Sequence, residues 1–168
     1  MRRTLLVLLL AAVVMLPTTA GAEHAWGMHW NRRTPTFTVQ LLDRTAYDAE
    51  LAAAAADWSQ SAVLDVTVVS ECSSKICATV QDVSSPNGLA GWTNATADVQ
   101  AHFKMVTTSL NVSVLAGADP AYVANVVLHE VGHTLGLGHG GDGVMGVVGA
   151  PITAHDLEEL ELIYAHSR

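Results

Sequence analysis

His129-Glu130-Val131-Gly132-His133-Thr134-Leu135-Gly136-Leu137-Gly138-His139 is the stretch whose reading decides the fold. Residues four apart on a helix lie above one another, so His129 and His133 can aim imidazole nitrogens at one metal ion about 2.0 Å away. Glu130 stands one position round, within reach of a water on that metal. Gly136 can take the left-handed conformation that ends a helix and turns the chain back, bringing in His139 as a third nitrogen ligand. Three protein ligands with one position left open is the arrangement of catalytic zinc, whereas structural zinc is usually closed by four. The motif therefore predicts one catalytic Zn2+ on His129, His133 and His139. Zinc would activate a water, and Glu130 would take its proton as general base and pass it to the leaving amine.

Met145 follows six residues after His139, in the turn-forming segment Gly143-Val144-Met145-Gly146. An HExxHxxGxxH run followed by such a Met turn resembles the metzincin clan of zinc endopeptidases, in which the Met runs beneath the zinc ligands. Within the clan the chain is similar to the matrixins. Ala55-Ala56-Asp57-Trp58-Ser59, then Leu64-Asp65-Val66, resembles their first helix and second strand. Leu89-Ala90-Gly91-Trp92 resembles the edge strand along which they lay their substrates, and Ala101-His102-Phe103 the strand that follows. The resemblance spans residues 35–166. It implies an α+β, metzincin-like zincin fold: a twisted, mostly parallel five-stranded sheet with two main helices and a C-terminal helix. It also implies a protein or peptide substrate held extended against an edge strand.

The chain departs from that pattern at several places. Gly140, after the third His, is none of the Ser, Asp, Glu or Pro that mark the subgroups, and Val147 stands where some metzincins place a Tyr ligand. Gly91 occupies the place of a His that often holds a second, structural zinc, and His102 alone cannot make that site. No cysteine precedes the domain to occupy the zinc, and residues 23–34 are too few for a prodomain that works that way.

An apolar run over residues 5–16 follows Arg2 and Arg3 and leads to Ala20-Gly21-Ala22, which reads as a signal peptide over 1–22. Residues 23–168 are then the catalytic domain, with a mature N-terminus at Glu23. The run is shorter than the roughly 20 residues of a membrane span, so a secreted, extracellular protein is expected, without membrane attachment after processing. The full chain has 8 basic against 16 acidic residues, and its formal net charge of −8 offers no basic patch for nucleic acid. A monomer is expected. Cys72 and Cys77 should form a disulfide in an oxidising compartment and pin a hairpin tip. Calcium is possible but not indicated: Asp142, the one candidate, reads as a turn residue.

Periodicity supplies the rest. Phe37, Val39 and Leu41 alternate with polar neighbours as in a half-buried strand, and residues 64–68 and 76–80 read as two more. Thr45 and Asp48 read as the cap of a helix burying Tyr47, Leu51, Ala55 and Trp58. A further strand places Val99, Ala101, Phe103 and Met105 on one face and His102 on the outer one. Asp119-Pro120 opens the zinc helix, and Thr153 a last helix burying Leu157, Leu160 and Tyr164. His24, His29, His155 and His166 read as surface residues, and Trp92 as a strand aromatic. Two other functions fit the motif, a zinc-stabilised peptide-binding module with weak or no catalysis and a hydrolase of non-peptide amides. The intact Glu130 argues against the first.

Overall fold

A computed structural model describes residues 25–165. The expected signal peptide, His24 and His166 lie outside the described residues. Five strands form one sheet: β1 (Phe37–Arg44), β2 (Leu64–Val69), β3 (Cys77–Val83), β4 (Gly91–Ala97) and β5 (Phe103–Asn111). Their order is β2-β1-β3-β5-β4, and every neighbouring pair is parallel except β4 with β5. The two main helices are α1 (Asp48–Trp58) and α3 (Pro120–Thr134), with a one-turn α2 (Val112–Leu115) and a C-terminal α4 (Ala154–Ala165). This is the α+β, mostly parallel architecture that the sequence resemblance implies.

The alternation in β1 does what its period requires, burying Phe37, Val39 and Leu41. α1 turns Leu51, Ala54, Ala55 and Trp58 inward, and the Trp58 indole donates to the Leu128 carbonyl at 2.9 Å, locking α1 onto α3. Thr45 does not cap α1. Its hydroxyl accepts from the Tyr47 N–H at 3.1 Å and donates to Asp43 Oδ1 at 2.9 Å, so it shapes the preceding turn. Asp48 and Glu50 in the first turn complement the helix dipole instead.

Two further expectations need correction. β2 and β3 do not pair but flank β1, so Cys72 and Cys77, joined by a disulfide, close no hairpin tip. They tighten the crossover that carries residues 70–76 over β1. There Gln40 Oε1 accepts from the Ser73 and Ser74 N–H groups at 2.9 and 3.0 Å. The strand expected from Val99 begins only at Phe103. Asp98 Oδ1 accepts from the Gln100 and His102 N–H groups, both at 2.9 Å, and Ala101 turns to φ 65°, which makes residues 98–102 a turn. Val99 is 95% exposed and Met105 59% exposed, while Phe103 and Val106 are buried. A register shift between Thr96 and Ala97 lies opposite Phe103 and Met105, and so breaks the period at that point.

The histidines there also differ from expectation. His29 is buried, its Nδ1 3.0 Å from the Trp30 carbonyl. His102 is half-buried, its ring 5.1 Å from that of His29. His29 belongs to a strap, residues 25–30, and His102 to the turn ahead of β5 against which the strap lies. The strap bridges Ala25 to Leu137 and exchanges hydrogen bonds from His29 N to Ala101 O and from Phe103 N to His29 O. Trp30 closes it down, donating from its indole to the Thr134 carbonyl at 2.8 Å.

α4 behaves as read: Thr153 N donates to Asp156 Oδ2 at 2.8 Å, and Asp156 N to Thr153 Oγ1 at 3.4 Å. Leu160, Ile163 and Tyr164 are buried, with Leu157 partly so. The Tyr164 hydroxyl donates to Leu135 O at 2.8 Å and accepts from Trp30 N at 3.3 Å, tying the last helix to the end of α3 and to the strap.

Candidate active site

α3 carries the site, and both its ends are set by sequence. Asp119 Oδ1 accepts from Ala121 N and Tyr122 N, with Pro120 at the first helical position. At the other end Gly136 adopts φ 101°. Gly136 N donates to His133 O at 3.1 Å and Leu137 N to Gly132 O at 3.2 Å, the paired bonds of a glycine-terminated helix. A side chain at Gly136 would also strike the Met28 carbonyl, 2.8 Å away. The turn it makes brings His139 back over α3.

His139 Nε2 lies 3.1 Å from His129 Nε2 and 3.2 Å from His133 Nε2. Three nitrogens about 2.05 Å from one tetrahedral ion would stand about 3.3 Å apart, so the spacing fits a single zinc. The other ring nitrogens support this. His129 Nδ1 is 2.8 Å from the Val144 carbonyl and His133 Nδ1 is 2.8 Å from the Leu137 carbonyl. Each must carry its proton there, which leaves the two Nε2 lone pairs facing His139 and calls for a cation between them. Burial lowers the basicity of His129 and brings His133 down to about 4, keeping both rings neutral as metal ligation requires.

Glu130 points from the same helix toward β4 and is 6% exposed. Burial pushes its carboxyl up to about 7, against the opposing hydrogen bond from the Thr93 hydroxyl, which reaches Oε2 at 3.0 Å. Thr93 is itself 2.7 Å from the Thr108 hydroxyl on β5. Gly91 supplies the space: a Cβ there would stand 2.7 Å from Glu130 Cγ and 3.0 Å from Oε1. The glycine that departs from the matrixin pattern thus has a steric reason in this chain.

Met145 is buried beneath α3. Its thioether packs where Gly132 has no side chain, and the Trp58 ring fills the same gap, 2.8 Å from where a Cβ would lie. The loop bearing Met145 also holds the His cluster through its backbone: Val144 O is bonded to His129, and Gly140 N donates to Met145 O at 3.1 Å. Asp156 on α4 abuts Gly143, so the last helix braces this loop.

A cavity of about 430 Å³ opens over the three His and Glu130, between β4 and the first half of α3. Leu89, Trp92, Tyr122, Val126 and Val148 give it an apolar wall, so Trp92 lines the cleft rather than serving only as a strand aromatic. Asn125, one turn before His129, holds the outer loop by donating to Ala150 O at 2.9 Å and accepting from Gly149 N at 2.8 Å. The structure brings His129, His133, His139, Glu130 and Met145 together; Cys72 and Cys77 lie apart, on the β2–β3 crossover. Thr93 and Trp26 were not legible as site residues, because nothing in their local sequence points to α3; Gly91 was legible only as part of an edge strand, not as the neighbour of Glu130, and Asn125 lies on α3 outside the motif.

The family model described as metallopeptidase family M12B, reprolysin-like, matches residues 31–140, more than half of the chain and all three His. No curated protein matches the sequence. Among solved structures, the chain is similar to high choriolytic enzyme 1, a hatching enzyme zinc-protease from the medaka fish Oryzias latipes. The identity is 12% and the TM-score 0.39, over 66% of this chain and 50% of that one. The chain therefore spans about half the length of that relative. With the His triad set for one metal ion on α3 and the family model spanning it, the chain belongs to the reprolysin-like metallopeptidases of family M12B, within the metzincin clan of zinc proteases.

Proposed function

We propose that this chain is a secreted zinc-dependent endopeptidase. In this reading residues 1–22 are a signal peptide removed on export and residues 23–168 form the catalytic domain, acting as a monomer on proteins or peptides. His129, His133 and His139 hold the zinc, Glu130 is the general base, and Met145 forms the apolar floor under the ligands. The observation that carries the reading is the convergence of three Nε2 atoms, two with their Nδ1 pinned to carbonyls, beside a buried carboxylate in an open cleft. Zinc held there supplies a Lewis acid that acidifies water and polarises the scissile carbonyl.

The protein's own groups do the rest. β4 is the sheet edge beside the cleft among the described residues, so an extended substrate can add to it through main-chain hydrogen bonds. Glu130 Oε2 is held by Thr93, which leaves Oε1, beside the space at Gly91, to accept the proton of the attacking water and return it to the leaving amine. In the metal-free protein burial raises the proton affinity of this carboxyl, the direction that a proton carrier working near neutral pH needs. The finer likeness to the matrixins rests on the echoes at residues 55–59 and 89–92 and on β4 being the sheet edge.

The test is digestion of a complex peptide mixture by the purified, zinc-loaded protein, with cleavage sites read by mass spectrometry. Cleavage should stop on chelation and return with zinc. Glu130→Gln should keep its zinc and lose at least about 100-fold in rate, the scale of a missing general base. Peptide binding without cleavage in the wild-type protein would leave the binding-module reading in its place. Intact mass of the secreted protein should begin at Glu23.

A further inference from the structure

We propose that Trp26 forms an apolar recognition wall for the substrate side chains on the N-terminal side of the scissile bond, so that the strap ahead of the family-matched segment takes part in specificity. The proposal rests on the endopeptidase reading above. Trp26 lies outside residues 31–140, and its half-exposed ring lines the cleft. Its centroid is 5.6 Å from that of His133, tilted by 41°, and 6.1 Å from that of Phe103, edge-on. The backbone cannot swing it away. Trp26 N donates to Gly136 O at 2.8 Å, Met28 O packs on Gly136, and the Trp30 indole is bonded to Thr134 O. The ring is therefore fixed before substrate arrives, and little ordering entropy is lost on binding.

The side it serves follows from strand direction. An extended peptide added antiparallel to β4, the more stable sense of pairing, runs opposite to the course from Gly91 to Ala97. Its N-terminal residues then lie toward Ala97. That residue pairs with Phe103, the ring against which Trp26 packs. Gly91 and Thr93, next to Glu130, mark the reacting position, and Leu89, Tyr122 and Val126 border the C-terminal side. Gly138, which has no side chain, lines the same cleft, and apart from Glu130 no Asp, Glu, Lys or Arg does. A flat indole face beside such a space favours aliphatic or aromatic side chains over charged ones.

The test uses zinc-loaded wild-type protein, Trp26→Ala, Trp26→Leu and Trp26→Phe on peptides varied only at the two residues before the cleaved bond, with zinc content measured for each protein. The expected result is a fall in kcat/KM of about 10-fold for Trp26→Ala on peptides with large apolar residues there, the scale of a lost apolar contact. Peptides with alanine there should change little, selectivity after the cleaved bond should persist, and Trp26→Phe should keep most of the preference. An unchanged profile in a zinc-replete Trp26→Ala overturns the proposal. So does an equal loss on every peptide, which would mean that Trp26 only supports His133. If Trp26→Ala does not fold, an unchanged profile in Trp26→Leu overturns it equally. No cleavage by the wild-type protein on any peptide would remove the endopeptidase reading and this proposal with it.

Discussion

Gly91→Ala should disable the site while leaving its metal in place. An added Cβ would lie 2.7 Å from Glu130 Cγ and 3.0 Å from both Cδ and Oε1. Ordinary carbon–carbon contact is about 3.5–4.0 Å, so one partner must give way by about 1 Å. β4 cannot, since Gly91 is in register with Leu110 and Asn111 N donates to Ala90 O at 2.8 Å. The Glu130 side chain must therefore retreat and abandon its 3.0 Å bond to Thr93. Two magnitudes then separate. Losing one hydrogen bond costs about 1 kcal/mol of stability, whereas displacing a reacting group by about 1 Å costs about 100-fold in rate. The expected variant is folded, carries one zinc by elemental analysis, and shows kcat/KM on a fluorogenic peptide about 100-fold below wild type. Wild-type activity would refute the steric argument. Loss of zinc together with activity would show that Gly91 supports the ligands rather than the carboxylate.

Other expectations concern protons, metal and the crossover. In the metal-free protein burial raises the Glu130 carboxyl from about 4.5 to about 7, so between those values the folded state holds a proton that the unfolded chain has released. Its contribution therefore falls as pH rises, by on the order of 3 kcal/mol in all. Urea unfolding of metal-free wild type and Glu130→Gln should show the wild type losing ground from about pH 4.5 to about pH 7; parallel curves would contradict it. The opposing effect of His133, whose lowered basicity costs stability as pH falls from 6.5 toward about 4, is common to both proteins and cancels. His139→Ala should weaken zinc binding itself, measured by competition with a chromogenic chelator, because α3 keeps only two ligands. Replacing Cys72 and Cys77 by serine should lower stability by about 2 kcal/mol through loop entropy, with little change in activity because the crossover is away from the cleft.

The fold was legible where the sequence repeats with the period of its element and ends on a residue with a stopping role. The alternation of β1, the capped start of α3 and its glycine end are of this kind, whereas α1 was legible in its buried stripe but not in its cap, because Thr45 shapes the turn before it. Strand order was not, since parallel strands meet through pairings that local pattern does not encode. The misplaced start of β5 shows the limit: Asp98, His102 and the residues between supply a plausible alternation, yet Asp98 uses its carboxylate to fold them into a turn. The supposed hairpin failed in the same way. Two extended runs seven residues apart look adjacent, while β1 lies between them.

At the site the same division separates the motif residues from the groups that hold them. The three His and Glu130 lie within eleven consecutive residues, so helix geometry and one glycine turn bring them together without help from the rest of the chain. Their second contacts come from afar: Val144 holds His129, Thr93 holds Glu130, Met145 fills the gap at Gly132, and Trp26 flanks His133. A carbonyl acceptor has no sequence signature, because every residue carries one. A glycine needed for clearance looks like a glycine needed for a turn. Gly91 has no positive φ and sits within a strand, so only its distance to Glu130 reveals its role. The expectation for Gly91→Ala is thus that a chain keeping the whole motif loses activity through one methyl group on β4, so Gly91 and Thr93 have to be read beside the three His and Glu130.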